Sequence, residues 1–246
     1  MTDSTVQPAA AQGAATSPPA ASPGRGHPIQ GWILIGSAAL AVAGNVLHPR
    51  APADGVESYR LIAGSVAWPI ATALIGIALI GLVLGGQMAC RAARAGADPG
   101  CAAALDAAGW ALVVGGTIGI AQQGVDGIGL PRQAVAFIEA DPEWNAFPYW
   151  STDAVAAVNS ALAVVWYLLV LGAVPVLLAV AYRGPHAPGR IVRAGTVVAG
   201  VVTAATVVVI TVAGPSGVAD MVFLAGSLVV TGWFVAVGVA EVRAAH

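Results

Sequence analysis

Asn45, His48, Arg50, Gln122, Asp126 and Asn159 have the types and spacing to do chemistry together, provided the fold brings them to one place. A histidine beside a carboxylate shares a proton or binds a metal. Asn45 and His48 are three residues apart, so on a helix they share a face, and Arg50 follows after Pro49. Gln122 and Asp126 are four apart and share a face if a helix extends that far. Asn159 lies in a different apolar stretch, beside Ser160. One histidine makes a poor zinc site, so no metal is expected. A plainer alternative stands beside this reading. His48-Pro49 would end a helix at an interface, Arg50 would be solvated, and Asp153 would cap a helix start.

The elements that must position these residues are membrane helices. The chain has 246 residues, 58% hydrophobic and only 9% charged. A soluble domain carries roughly 25% charged residues. A bilayer span needs about 20 predominantly apolar residues. Six stretches meet or approach that length: 32–48, 65–88, 105–122, 154–182, 192–213 and 221–242. The expected fold is therefore all-α, an integral membrane bundle of six transmembrane helices spanning residues 31–246, with the lipid bilayer as its partner. Residues 1–30 are rich in Ala, Pro, Ser and Gly and cannot bury enough surface to offset their ordering entropy, so a disordered cytoplasmic tail is expected there. The triplet Ala51-Pro52-Ala53 resembles a cleavage signal, but the long tail and Arg50 favour an uncleaved first helix.

All ten basic residues are arginine. Arg25, Arg91, Arg94, Arg183, Arg190, Arg193 and Arg243 fall in gaps that belong on one side of a six-span chain. Cytoplasmic loops carry the excess of basic residues, so both termini are expected inside, in a plasma membrane. The other gaps carry Asp54, Glu57, Asp126, Glu139, Asp141, Glu143, Asp153 and Asp220 and would face outward. Cys90 and Cys101 fall on the inner side, where free thiols are the rule.

Within the spans, Pro69 is tolerated in a first turn, and Pro175 is expected to kink span four. Gly81/Gly85 and Gly115/Gly119 are small-residue pairs that suggest close packing of spans two and three. Residues 123–153 read as an outer loop. Within it, 131–140 forms a short amphipathic helix with Ala134, Val135, Phe137 and Ile138 on one face. Trp144, Phe147, Tyr149 and Trp150 then read as an interfacial aromatic belt. A sharper alternative makes them an aromatic-lined entrance for an amphipathic ligand. Thr72, Thr203, Thr206, Thr211, Ser227 and Thr231 read as packing residues.

Ionisable residues are missing from the middle of every span, which argues against a proton relay, a voltage sensor or an ion-coupled carrier. Basic residues are too scattered for nucleic acid, and nothing calls for a cofactor. Leu47-His48-Pro49 ends span one, and Asp126-Gly127-Ile128-Gly129-Leu130 follows span three. In these segments the chain resembles a group of multi-pass membrane proteins, common in actinobacteria, that carry no assigned function. The resemblance implies six membrane helices in a bacterial protein and transfers no activity. The leading expectation is a protein that binds a small apolar or amphipathic ligand from the outer side. The alternatives are an intramembrane enzyme on a lipid or isoprenoid-like substrate, with His48 and Asp126 as acid and base, or a transporter subunit for a neutral substrate. Homo-oligomerisation stays open.

Overall fold

A computed structural model describes residues 28–50, 55–140, 146–182, 190–213 and 217–244. Regular structure in these residues is entirely helical. In chain order it comprises α1 (Ile29–Leu47), α2 (Gly55–Gly64), α3 (Ala67–Arg94), α4 (Pro99–Gly124), α5 (Leu130–Glu139), α6 (Ala146–Trp166), α7 (Val174–Ala181), α8 (Arg190–Ala213) and α9 (Gly217–Ala244). A π-helical turn, Val125–Gly129, joins α4 to α5 without a break. Another, Tyr167–Ala173, joins α6 to α7. The tail 1–27 and the triplet 51–53 lie outside the described residues, so the expectations of disorder and of cleavage fall there. The helix begins at Ile29, slightly inside the expected tail.

Six helical segments are long and apolar enough to cross a membrane, as the composition requires. Their packing follows the chain. Span one packs on span two, two on three, three on four, four on five and five on six, while α1 returns to α9 and closes a ring. The core of the ring includes Leu34, Leu82, Leu112, Val170, Val230 and Phe234. Outward-facing Ile77, Leu84, Val114, Val201 and Leu228 are exposed. Water would penalise that arrangement, and lipid does not.

The third span is far longer than its apolar core suggests. Pro99–Glu139 covers 41 residues, about 60 Å of helix against a hydrocarbon thickness of roughly 30 Å. There is no loop at 123–130, because the π-helical turn carries the chain straight into α5. Its upper part, with α2 and the start of α6, builds a small cap. Tyr59, Ile62, Trp68, Leu130, Ala134 and Phe137 form its core, with Tyr149 packed against them. Tyr59, Phe137 and Tyr149 meet edge to face at 5.7–6.2 Å. Tyr149 is thus a cap residue rather than part of a belt, whereas Trp150 is exposed. Trp144 and the side chain of Phe147 lie outside the described residues.

Two details of the expected outer helix change. Ala134 and Phe137 point into the cap, while Val135 and Ile138 are exposed. Leu130, Ala134 and Phe137 lie four and three residues apart and share a stripe, which a tally of apolar residues had blurred. Asp153 does not cap a helix either, since α6 begins at Ala146. Its carboxylate instead accepts from the Tyr59 hydroxyl at 3.5 Å. Burial, and then repulsion from Asp153, holds that hydroxyl above its ordinary pKa.

The small-residue pairs serve more neighbours than expected. Spans two and three do pack, through Gly86 against Leu112, Gly116 against Val83 and Gly119 against Leu79. Gly81 and Gly85 instead receive Ser37, Ile33 and Leu34 of α1, Gly115 receives Val170 of span four, and Gly119 also meets Trp166 of span four. A pair four residues apart marks one stripe of a helix, and the ring decides which neighbour that stripe meets.

Neither Cys90 nor Cys101 forms a disulfide. Asp98 caps α4, its carboxylate accepting from the Gly100 and Cys101 amides at 2.9 and 3.0 Å. Those amides hold the carboxyl below its ordinary pKa. The cap's contribution is therefore complete above the ordinary carboxyl pKa and is lost as pH falls through the depressed value. The thermal midpoint in detergent is expected to drop over that acid window in the wild type. Asp98→Ala should remove this component, and an unchanged pH profile would refute the assignment.

Candidate functional site

The described cluster sits where the cap meets the membrane bundle. Asp126 lies 27 residues beyond Pro99, about 40 Å along the helix. The π-helical turn presents it. A π-turn bonds i to i+5 and widens the helix locally, and here the Asp126 carbonyl accepts from the Trp68 indole N–H at 3.0 Å. Gly127 makes room for this approach, since a Cβ there would collide with the Thr72 hydroxyl. Gly127→Val is expected to cost about 1–3 kcal/mol of stability through overpacking. Gly124→Val is the control, because a Cβ at Gly124 meets nothing within 4 Å. Equal thermal midpoints for the two variants would overturn this account.

Asp126 is only 7% exposed, and both of its oxygens are engaged. His48 Nε2 lies 3.3 Å from Oδ2, and Asn159 Nδ2 donates to Oδ1 at 2.9 Å. Gln122 Nε2 donates to Asn159 Oδ1 at 2.8 Å, and Gln123 Nε2 donates to Gln122 Oε1 at 2.5 Å. The second ring nitrogen of His48 faces the Pro49 carbonyl at 3.1 Å. Each ring nitrogen thus faces an acceptor. Which nitrogen donates, Nε2 to Asp126 or Nδ1 to Pro49, follows from the tautomer. The Trp68 ring lies 4.2 Å from the imidazole, centroid to centroid, and fixes its orientation.

The structure thus brings His48, Gln122, Asp126 and Asn159 into one hydrogen-bonded chain from spans one, three and four. Asn45 is beside it, on the same cavity wall, with its amide turned to the Ala41 carbonyl at 2.8 Å. Arg50 is exposed, and among the described residues no hydrogen bond or ion pair joins it to the cluster.

Below the cluster a cavity of about 200 Å³ runs down the centre of the ring. Asn45, His48, Gln122, Gln123 and Asp126 form its polar end, and Ile75, Leu79, Leu82, Val230 and Phe234 are among its apolar walls. Trp166 and Tyr167 wall it at the second π-helical turn. Pro175 follows that turn near the start of α7. The expected irregularity in span four therefore begins upstream of the proline, as π-helix. Tyr149 and Trp150, the described members of the aromatic group that the sequence offered as an entrance, line neither described cavity.

Trp68, Gln123, Trp166 and Tyr167 escaped the sequence reading. The adjacent Gln122-Gln123 and Trp166-Tyr167 pairs were the available signals, since polar and aromatic doublets are uncommon in this Ala/Val/Gly-rich chain. Among the described residues no group of three or more His, Cys, Asp or Glu is placed to hold a metal. Comparison with family models, curated proteins and solved structures finds no match for this chain.

Proposed function

We propose that the protein binds a small amphipathic molecule in the central cavity, entering from the cap end. We read that end as the outer face of a plasma membrane. The arginine distribution supports the orientation. The observation that carries the binding reading is the cavity itself, polar at the His48–Asp126 end and apolar below. Ligand sites are concave and mostly apolar, with a few placed polar groups that fix orientation. Native mass spectrometry of the protein, purified gently in detergent, tests it. A stoichiometric organic adduct is expected, lost in Asp126→Asn. An adduct held equally by both proteins would refute this site.

The 3.3 Å contact between His48 and Asp126 supports a second reading, acid–base chemistry on a lipid or isoprenoid-like substrate held there. In that case the recovered adduct is converted to a product of different mass on incubation, and His48→Ala stops the conversion while retaining the adduct. An adduct that stays unchanged favours binding alone.

A further inference from the structure

We infer that the ligand of this site is an uncharged single-chain lipid with a hydroxyl head, its chain running from the central cavity into a second cavity between spans four, five and six. The inference rests on the binding reading above and names its ligand class.

The head chemistry follows from the polar end of the central cavity, where Asn45, His48, Gln122, Gln123 and Asp126 bring donors and acceptors together. A hydroxyl offers both functions. Trp166 Nε1 and Gln123 Oε1, buried in the same wall, find no hydrogen-bond partner among the described residues. A charged head fits poorly. No arginine or lysine lines either cavity. Asp126 already spends its two oxygens on His48 and Asn159, so a charged head would be buried without a free counter-charge.

The chain follows from the second cavity, of about 240 Å³. Tyr167, Leu171 and Ser227 line both cavities, so the two adjoin. Ala163, Val164 and Val207 contribute apolar wall. Thr203 and Thr206 also line it, but their hydroxyls donate to the Ala199 and Val202 carbonyls at 2.9 and 2.8 Å. Their hydrogens are thereby spent within their own helix. Ser160, on the rim, is exposed and lies 12 residues past Pro148, about 18 Å down the helix. The second cavity therefore opens at hydrocarbon depth, where a lipid chain belongs. Neither cavity alone reaches the roughly 300 Å³ at which small-molecule sites begin, but the two together do.

The test uses three probes with the full-length protein in native mass spectrometry: oleyl alcohol, oleic acid and hexanol. Oleyl alcohol is expected to bind about tenfold or more tightly than oleic acid, because the acid buries an unpaired charge. It should exceed hexanol by a similar factor, about tenfold or more, through its added apolar contact. Ala163→Phe fills the second cavity and should bring oleyl alcohol down to the level of hexanol, leaving hexanol unchanged. Val164→Trp, at a wall of the second cavity alone, serves the same purpose if Ala163→Phe does not fold. Hexanol binding as well as oleyl alcohol, or oleic acid binding better, overturns this inference alone. If all three probes bind equally to wild type and to Asp126→Asn, the binding reading falls with it.

Discussion

Asp126→Asn is expected to leave the protein folded and to lower ligand retention about tenfold or more, because the substitution keeps the shape and replaces a carboxyl oxygen at the cavity's polar end with an amide donor. The asparagine oxygen still accepts from Asn159, and the backbone carbonyl still accepts from Trp68. The amide nitrogen no longer offers His48 Nε2 an acceptor, and its two hydrogens change what the polar end of the cavity offers a ligand. Asp126→Ala is a different experiment. It leaves His48 Nε2 and Asn159 Nδ2 without their acceptor at a position only 7% exposed. Each orphaned group costs about 1–3 kcal/mol, so this variant should lose stability as well as ligand. Thermal midpoint and adduct occupancy, measured on the same preparations, separate the two effects. Full occupancy in a folded Asp126→Asn protein would remove Asp126 from the site.

Gly31→Val is expected to destabilise the bundle by about 2–3 kcal/mol, the range for forcing volume into a closed contact. This is where α1 meets α9 and closes the ring. A Cβ on Gly31 would collide with the Gly238 carbonyl oxygen and come within 2.7 Å of a Val242 methyl. The contact is reciprocal, since a Cβ on Gly238 would lie 2.8 Å from the Gly31 carbonyl. Backbone cannot step aside as a side chain can, so the helices must separate. Separation also strains the adjacent bond from Gln30 Nε2 to Glu241 Oε2, 2.6 Å long. Gly36→Val, on the same helix, is the control, because a Cβ there meets nothing within 4 Å. Detergent thermal midpoints should fall for the first and hold for the second. Equal midpoints would mean that the first and last spans do not close the ring.

These two sites differ in how readily the sequence revealed them. His48 and Asp126 stood out because ionisable residues at the edges of apolar stretches are few in this chain. The Gly31–Gly238 contact did not stand out among 31 glycines. Small residues mark where a helix tolerates a neighbour but carry no label for which neighbour arrives. The same ambiguity assigned Gly81, Gly85, Gly115 and Gly119 to one interface, whereas the first three serve others and Gly119 serves two. Trp166 and Gln123 were missed for a related reason. Their importance lies in hydrogen-bonding capacity left unused, which exists only once every other partner has been placed.

The sequence by itself determined that the chain is helical, that six segments are apolar enough to cross a membrane, and which side chains were scarce enough to be site candidates. Those properties are sums over local composition, and the cost of exposing backbone in lipid leaves helices as the solution for such long apolar runs. Only the tertiary structure decided that α1 closes on α9, that span three continues through a π-helical turn into a cap, and that His48, Gln122, Asp126 and Asn159 meet while Arg50 does not. Each of these depends on contacts between segments distant in the chain. Apolar side chains gain about as much from lipid as from one another, so a hydropathy pattern does not specify such contacts. They are set by close backbone approach and by the pairing of a few polar groups.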